Sequence, residues 1–216
     1  MYTLYGSPGW GSVLVEAQLA WYGLDVAHEE VGNLFRDAGS RERLARVNPL
    51  AQIPTLVLPD GTVMTESAAI TLLLADVTGS TGLVPASGDP ARPAFLRWLV
   101  FLVASLYPTF TFADEPSRFV PGEPAQTGFR ANVDAYALRL WGMVEDAAGA
   151  PWFLGERFSA LDIYVAAMTR WRPKRAWFAA NAPKLHAIAQ AADAEPRLAA
   201  TWARNYAEPD SPVVAT

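Results

Sequence analysis

The 216-residue chain contains no cysteine and only two histidines. Without cysteine it can form no disulfide, no thiolate nucleophile and no cysteine-ligated metal site. Because His28 and His186 are well separated in the sequence, a zinc site or a histidine-based catalytic triad has no support. Any chemistry must therefore use hydroxyls, carboxylates, arginines, backbone amides or a thiol that a ligand supplies.

Basic residues and long apolar runs are also scarce. Lys and Arg number 17 against 22 Asp and Glu, a net charge of −5. This balance argues against a nucleic-acid partner, because phosphate binding normally needs a basic face. The longest apolar run, residues 98–106, is shorter than the roughly 18 residues that span a bilayer. The N-terminus lacks the basic and apolar regions of a secretion signal. We therefore expect a cytoplasmic protein with no membrane partner.

The hydrophobic pattern changes near residue 80. Residues 1–79 mix short strand-like segments with helical ones and predict a small α/β layer. Residues 80–93 are rich in Gly, Ser, Pro and Asp, the composition of a linker. Residues 94–216 contain only helical patterns, apart from a tail predicted for the last ten residues. The predicted fold class is therefore α/β plus all-α, with an N-terminal domain at 1–79 and an all-helical domain at 94–216.

The stretch NPLAQIPTLVLPDGTVMTESAAI, residues 48–70, combines five features in order. They are an Ile-Pro step, a short apolar strand, an Asp-Gly turn, a second short strand and a Glu-Ser pair opening a helix. Only X-Pro bonds adopt the cis form at low cost, so Pro54 before a strand suggests a cis turn. Glu66 and Ser67 place a carboxylate, a hydroxyl and free N–H groups together. The stretch predicts a site for a peptide with both an amine and a carboxylate.

The order NP-x-x-Q-I-P, then DG, then ES-A-A-I closely resembles the glutathione-binding half of the cytosolic glutathione transferases, especially bacterial beta-, zeta- and theta-like members. An α/β half followed by a helical half is also the arrangement of that family. The resemblance implies a thioredoxin-like N-terminal domain, glutathione as co-substrate, a hydrophobic electrophile as second substrate and a two-fold homodimer.

A second stretch with this resemblance is WFLGERFSALDIY, residues 152–164. Ser159 and Asp162 have the spacing of a capping box, with Asp in place of the usual Glu or Gln. The family that the chain resembles has such an element before its central buried helix. We interpret the pair as structural, so that it favours the fold and indicates nothing about the substrate.

The resemblance implies roles for residues of the 48–70 stretch. The backbone of Ile53, between Gln52 and Pro54, would pair with the cysteinyl part of glutathione like an added strand. Glu66 would attract the α-amine of the ligand, while Ser67 and the helix N–H groups receive its α-carboxylate. The alternatives are an ordinary strand-entry proline and simple capping of the helix. The glycine carboxylate needs a cation, and the sequence selects none among three arginines, Arg36, Arg41 and Arg46.

The glutathione thiol must lose its proton, which a helix N-terminus or a hydrogen-bond donor favours. Ser12, at the predicted start of the first helix, is the first choice for this donor, and capping alone is its alternative role. Tyr5 is a rival because tyrosine-type family members use a phenol near the end of the first strand, although Tyr5 equally fits a core position. Ser7 fits a turn better. Gly11 takes the place where cysteine-bearing bacterial relatives have their thiol, so the serine-type site departs from theirs.

The resemblance also implies a pocket for the electrophile, with four candidate lining residues: Trp10, Trp98, Phe101 and Tyr107. An aromatic stripe at helical spacing is usually core, and Trp10 fits either a wall of the thiol site or a domain boundary. Pro108 is expected to kink or end its helix. The predicted function is a glutathione transferase. A binding or regulatory protein that kept the fold without turnover is the alternative.

Overall fold

The computed structural model of the protein describes residues 1–206, so the predicted tail lies outside the described residues. The chain divides into two compact units. The first contains Met1–Val84 and, returning from the C-terminal side, residues 193–206, and the second is Pro85–Ala192. The division falls inside the predicted linker at 80–93. The C-terminal helical segment, which the sequence prediction placed in the domain 94–216, belongs instead to the first unit.

The first unit is built on a four-stranded sheet in the order β2-β1-β3-β4. Its strands are β1 Tyr2–Gly6, β2 Val26–Glu30, β3 Thr55–Val57 and β4 Val63–Met64. β1 pairs parallel with β2 and antiparallel with β3, and β3 pairs antiparallel with β4. The parallel pair needs a crossover connection, which the first helix supplies. The short hairpin between β3 and β4 turns at Gly61, whose φ of +88° suits glycine.

Four helices accompany this sheet: α1 Val13–Trp21, α2 Ala38–Ala45, α3 Ser67–Thr78 and, from the C-terminal segment, α10 Ala199–Asn205. α1 contacts both α3 and α10. The buried core between sheet and helices consists of apolar side chains: Leu4, Val15, Leu19, Leu56, Ile70 and Leu74. The predicted thioredoxin-like fold of the N-terminal domain is thereby confirmed.

Within its described residues, 85–192, the second unit is helical apart from an isolated bridge between Trp152 and Gly155. Its helices are α4 Arg92–Phe101, α5 Tyr107–Asp114, α6 Glu123–Ala147, α7 Ala160–Met168, α8 Arg175–Asn181 and α9 Pro183–Asp193, the last residue of which falls in the first unit. Every residue of α7 is buried, which makes it the central helix of this unit.

Pro108 was expected to kink or end its helix, and it does not end it. The chain stays helical from Arg92 to Asp114, with a π-helical turn, Leu102–Leu106, between α4 and α5. Pro108 lies in the first turn of α5, where its missing N–H costs little. By length and composition this continuous helical stretch could also cross a membrane, although the sequence contains no uninterrupted apolar run of that length. The buried core helices of folded proteins meet the same criteria of length and composition. Its buried residues include Phe95, Trp98, Leu99, Leu102 and Leu106.

Ser159 and Asp162 form the predicted capping box at the start of α7. One carboxylate oxygen of Asp162 accepts from the Ser159 N–H at 2.7 Å and from the Ser159 hydroxyl at 3.1 Å. The other accepts from the Phe153 N–H at 2.7 Å. Burial raises the pKa of Asp162 to about 6, against the opposing effect of these hydrogen bonds. Asp162 therefore ties the loop before α7 to the central helix.

Candidate functional site

The start of α3 has an uncommon backbone conformation. Glu66 has φ +62° and ψ 99°, and non-glycine residues in such conformations cluster at functional sites. Among residues 1–206, no side chain caps this helix, and the N–H groups of Ser67 and Ala68 have no hydrogen-bond partner. Simple capping, the alternative role for the Glu-Ser pair, is therefore not the observed geometry. The helix begins with a carboxylate, a hydroxyl and unpaired N–H groups side by side.

The Ile53-Pro54 peptide bond is cis, as predicted. Within the described chain, neither the N–H nor the C=O of Ile53 has a hydrogen-bond partner. The carbonyl of Gln52, in contrast, accepts from the buried Asn48 amide at 3.0 Å and from the Thr55 hydroxyl at 2.8 Å. Gln52 therefore helps to shape the turn through its backbone, while Ile53 presents an unpaired backbone edge.

Three predicted site residues come together on one face of the first unit. Tyr5, Trp10 and Ile53 pack against the same buried cluster, Val31, Leu34 and Leu44. Trp10 also stacks on Phe35, with ring centroids 5.2 Å apart and an interplanar angle of 27°. In the part of the chain that the structure describes, the Tyr5 hydroxyl has no hydrogen-bond partner. Tyr5 and Trp10 thus share one buried cluster with Ile53, the residue whose backbone is unpaired.

The Ser12 hydroxyl faces its own loop. It is buried, and it both accepts from the Ser7 N–H and donates to the Ser7 carbonyl at 3.2 Å. A β-carbon at Gly6 would overlap this hydroxyl, so the loop packs closely here. The hydroxyl makes no capping bond to α1 in residues 1–206, whereas the Gly11 N–H has no partner there. The role of Ser12 in activating a thiol stays a prediction, and in this geometry Ser12 must first release the Ser7 carbonyl.

Two of the other candidates have structural partners. The Ser7 hydroxyl donates to the Gly32 carbonyl at 3.0 Å, as a turn residue would. Arg41 donates to the Leu34 and Phe35 carbonyls at 3.1 and 3.3 Å and so holds the loop before α2. The exposed side chains of Arg36 and Arg46 have no partner among the described residues. Of the three candidate arginines, these two therefore remain available to an anionic ligand.

The remaining predicted pocket residues lie in the second unit and make core contacts. Trp98 is buried and meets the rings of Phe101 and Phe153 edge-on, with centroids 5.1 and 5.8 Å apart. Tyr107 meets Trp171 edge-on at 5.5 Å, and burial raises the pKa of Tyr107 well above its ordinary value. The contacts match the core role that was the alternative for this stripe. Their contact with an electrophile stays a prediction.

A residue that the sequence did not point to holds the loop from the C-terminal side. The Asn205 side chain, at the end of α10, accepts from the Gly9 N–H at 3.0 Å and donates to the Glu16 carboxylate at 3.0 Å. Gly9 has φ +75°, a conformation that favours glycine in a tight turn. The identity of its partner could not be read from the sequence because the two residues are 196 positions apart.

Known proteins resemble this chain in sequence and in structure. Residues 15–77 match the family described as "Glutathione S-transferase, N-terminal domain". The chain is 39% identical over 207 residues to the uncharacterized GST-like protein YncG of Escherichia coli, covering 95% of this chain and 98% of that protein.

Solved structures give the same result. A glutathione transferase homolog from Sulfitobacter, with bound glutathione, has a TM-score of 0.80 at 27% identity over 93% of this chain and 96% of that one. A sphingomonad glutathione S-transferase complexed with glutathione has a TM-score of 0.74 at 28% identity over 92% and 96%. The matched family region includes residues 48–70 but not the loop that carries Trp10 and Ser12.

Proposed function

The chain belongs to the glutathione transferase family, and on that premise we propose that it is a glutathione transferase whose first unit binds glutathione and activates its thiol for attack on a hydrophobic electrophile. One observation carries the proposal: the unpaired Ile53 backbone and the uncapped start of α3 at Glu66 and Ser67 are together suited to a peptide with an amine and a carboxylate. The structural relatives with bound glutathione support the choice of ligand.

In the proposed complex the ligand extends along the first unit. The N–H and C=O of Ile53 pair with the cysteinyl residue as a neighbouring strand would. The Glu66 carboxylate accepts from the α-amine, and Ser67 with the first N–H groups of α3 donates to the α-carboxylate, which the positive end of the helix dipole also favours. Arg36 or Arg46 is left for the glycine carboxylate.

The thiol then lies near Tyr5, Trp10 and the loop that ends at Ser12. A hydrogen bond from a hydroxyl stabilises the thiolate and lowers the pKa of the thiol, whose proton passes to solvent. The thiolate sulfur forms a bond to an electrophilic carbon, and a leaving group departs or a double bond accepts the electron pair. We place Tyr5 ahead of Ser12 as the donor, because the Tyr5 hydroxyl is unpaired in residues 1–206 while the Ser12 hydroxyl is bonded to Ser7.

A second function is favoured by one specific observation. The position at which cysteine-bearing relatives carry a thiol is Gly11, and the neighbouring Ser12 hydroxyl is used inside its loop. A protein that binds glutathione without turnover would have this composition. Conjugation assays with a panel of electrophiles separate the two functions, because a binding protein gives no product above the uncatalysed rate.

The experiment that tests the proposal is titration calorimetry with reduced glutathione. We expect binding by the native chain, and we expect Glu66→Gln to weaken it about tenfold, since a charge-assisted hydrogen bond contributes about 1.5–3 kcal/mol. Glu123→Gln is the matched control, because Glu123 is an exposed glutamate in the first turn of α6. A native chain that binds no glutathione at millimolar concentration contradicts the proposal.

Two further expectations also stay proposals: a two-fold homodimer, which the resemblance implies, and a cytoplasmic location, which the sequence predicted. Light scattering coupled to size-exclusion chromatography tests the first, and a monomer at micromolar concentration would contradict it. Fractionation of the native host tests the second.

A further inference from the structure

We propose that Asn205, at the end of α10, is a positioning residue for the thiol site. Its side chain holds the loop of residues 7–12 in place. The inference rests on the proposed function, because it concerns the loop that faces the glutathione thiol. It adds a residue outside the matched family region, contributed by a helix that the sequence assigned to the other domain.

The first step is the set of hydrogen bonds that Asn205 makes. Its side chain is buried, and its Oδ1 accepts from the Gly9 N–H at 3.0 Å. Its Nδ2 donates to the Glu16 Oε2 at 3.0 Å and to the Thr201 carbonyl at 2.9 Å. A side-chain amide suits this place because it can accept from an N–H group while donating to a carboxylate. Alanine can do neither.

The Asn205 amide is bonded to a charged group, the Glu16 carboxylate. Glu16 is buried on α1, and its Oε1 also pairs with the Arg204 guanidinium at 3.4 Å. The third titratable group of this cluster is His28, which interacts electrostatically with both Glu16 and Arg204 and whose pKa burial lowers. Asn205 thus links a buried carboxylate to the loop, and its removal takes one hydrogen bond from the Gly9 N–H and one from a Glu16 oxygen, which is costly in a buried place.

Gly9 is connected to the proposed thiol site through the next residue of the loop. Gly9 directly precedes Trp10, which stacks on Phe35 and packs with Tyr5 and Ile53. Beyond Trp10, the Gly11 N–H is unpaired in the described chain. Because Asn205 fixes Gly9, it fixes where Trp10 and this donor lie relative to a ligand on Ile53. A loosened loop would stabilise a thiolate less well.

The test uses full-length variants and two readouts. In Asn205→Ala we expect amide hydrogen exchange in residues 7–12 to rise about tenfold without ligand, because the Gly9 bond is lost. We expect the acid limb of the pH profile of conjugation to move up by about one unit, with kcat/KM about tenfold lower near neutral pH and KM for glutathione changed by less than about twofold. Asn181→Ala is the matched control: Asn181 also ends its helix and donates to the carbonyl four residues earlier, but it is exposed in the second unit.

An exchange of the two side chains makes the test specific. Asn205→Asp retains an acceptor for Gly9 but faces the Glu16 carboxylate, and we expect it to impair activity. The double variant Asn205→Asp with Glu16→Gln restores the bond between these two side chains, since the new amide donates to the new carboxylate. The bond to the Thr201 carbonyl stays lost, so the double variant should recover part of the activity that Asn205→Asp loses.

Two different failures are distinguishable. If the native chain conjugates glutathione and Asn205→Ala lowers only the melting temperature, with loop exchange and pH profile as in the native chain, Asn205 is merely structural and the inference is wrong. If Asn205→Ala does not fold, the double variant decides instead, and a double variant no more active than Asn205→Asp overturns the inference. If the native chain does not bind glutathione, the proposed function fails and this role fails with it.

Discussion

Tyr5 on β1 lies opposite Thr55 on β3, and Ile53, two residues before Thr55, packs with Tyr5 against the same buried cluster. The register of the central strand pair therefore places Tyr5 against the same cluster as Ile53, whose backbone we propose binds the cysteinyl part of glutathione. The relative position of Tyr5 and Ile53 depends on the pairing of β1 with β3 and not on the loop that carries Ser12.

The first prediction concerns the donor to the thiol. Tyr5→Phe should lower kcat/KM for conjugation by about 10- to 100-fold, since a hydrogen bond to a charged group such as a thiolate contributes about 1.5–3 kcal/mol. Affinity for glutathione should change little, because the phenol acts on the thiolate. Ser12→Ala should instead lower mainly the thermal stability, since it removes the two bonds to Ser7. Steady-state kinetics and thermal melts of both variants provide the check.

The opposite result for the two variants would show that Ser12, and not Tyr5, is the donor to the glutathione thiolate. If Ser12→Ala abolishes conjugation at unchanged stability while Tyr5→Phe is as active as the native chain, the serine-type site is correct. The loop then rearranges when glutathione binds, so that the Ser12 hydroxyl leaves the Ser7 carbonyl.

The second prediction is that one substitution at Glu66 raises the stability of the protein and weakens its binding of glutathione. Its backbone has φ +62°, and a non-glycine residue in such a region costs about 1–3 kcal/mol, part of which glycine relieves. Glu66→Gly should therefore stabilise the protein by about 1 kcal/mol in chemical unfolding while it weakens glutathione binding, since the carboxylate is lost.

The matched control for this variant is Lys174→Gly. Lys174 has φ +81° and ψ 155° in the second unit, so glycine should bring a similar gain in stability with no change in glutathione affinity. A Glu66→Gly variant that is less stable than the native chain, or that binds glutathione as well as the native chain does, would contradict the role of this residue.

The third prediction selects the cation for the glycine carboxylate. Arg36 follows Phe35, which stacks on Trp10, so we expect Arg36→Ala to weaken glutathione binding about two- to fivefold, the range for an exposed ion pair. Arg46→Ala should have a smaller effect. The dipeptide γ-glutamylcysteine lacks the glycine carboxylate, so Arg36→Ala should leave its affinity unchanged. Equal losses for both ligands would show that Arg36 does not contact that carboxylate.

Local signals in the sequence predicted the parts of the site that local chemistry determines. Pro54 and the Glu66-Ser67 pair could be recognised because a cis-proline turn and a helix start depend on a few consecutive residues. The backbone conformation of Glu66 could not, since a positive φ at a non-glycine residue runs against local preference and persists only where the surrounding structure holds it. The Ser12–Ser7 bond likewise depends on how the loop folds around Gly6.

For the fold as well, the sequence predicted local segments but not all of their tertiary contacts. Periodicity identified the helical segment near residues 196–206 but could not indicate which core it joins, because an amphipathic face is compatible with either unit. Its place beside α1 depends on long-range contacts such as Asn205 with Gly9. The helix continues past Pro108 because this proline lies in the first turn of α5, directly after a π-helical turn, where its missing N–H costs little.

The last prediction concerns Asp162 and pH. Its pKa, raised by burial to about 6, exceeds the ordinary value, so the folded chain holds this proton more tightly than the unfolded chain does. The resulting stabilisation is fully present below about pH 4 and is lost as the pH rises through about 6, a change of about 3 kcal/mol. The unfolding free energy of the native chain relative to that of Asp162→Asn, which cannot titrate here, should fall over this range. If this difference rises instead, the N–H groups of Phe153 and Ser159 stabilise the carboxylate more than burial destabilises it.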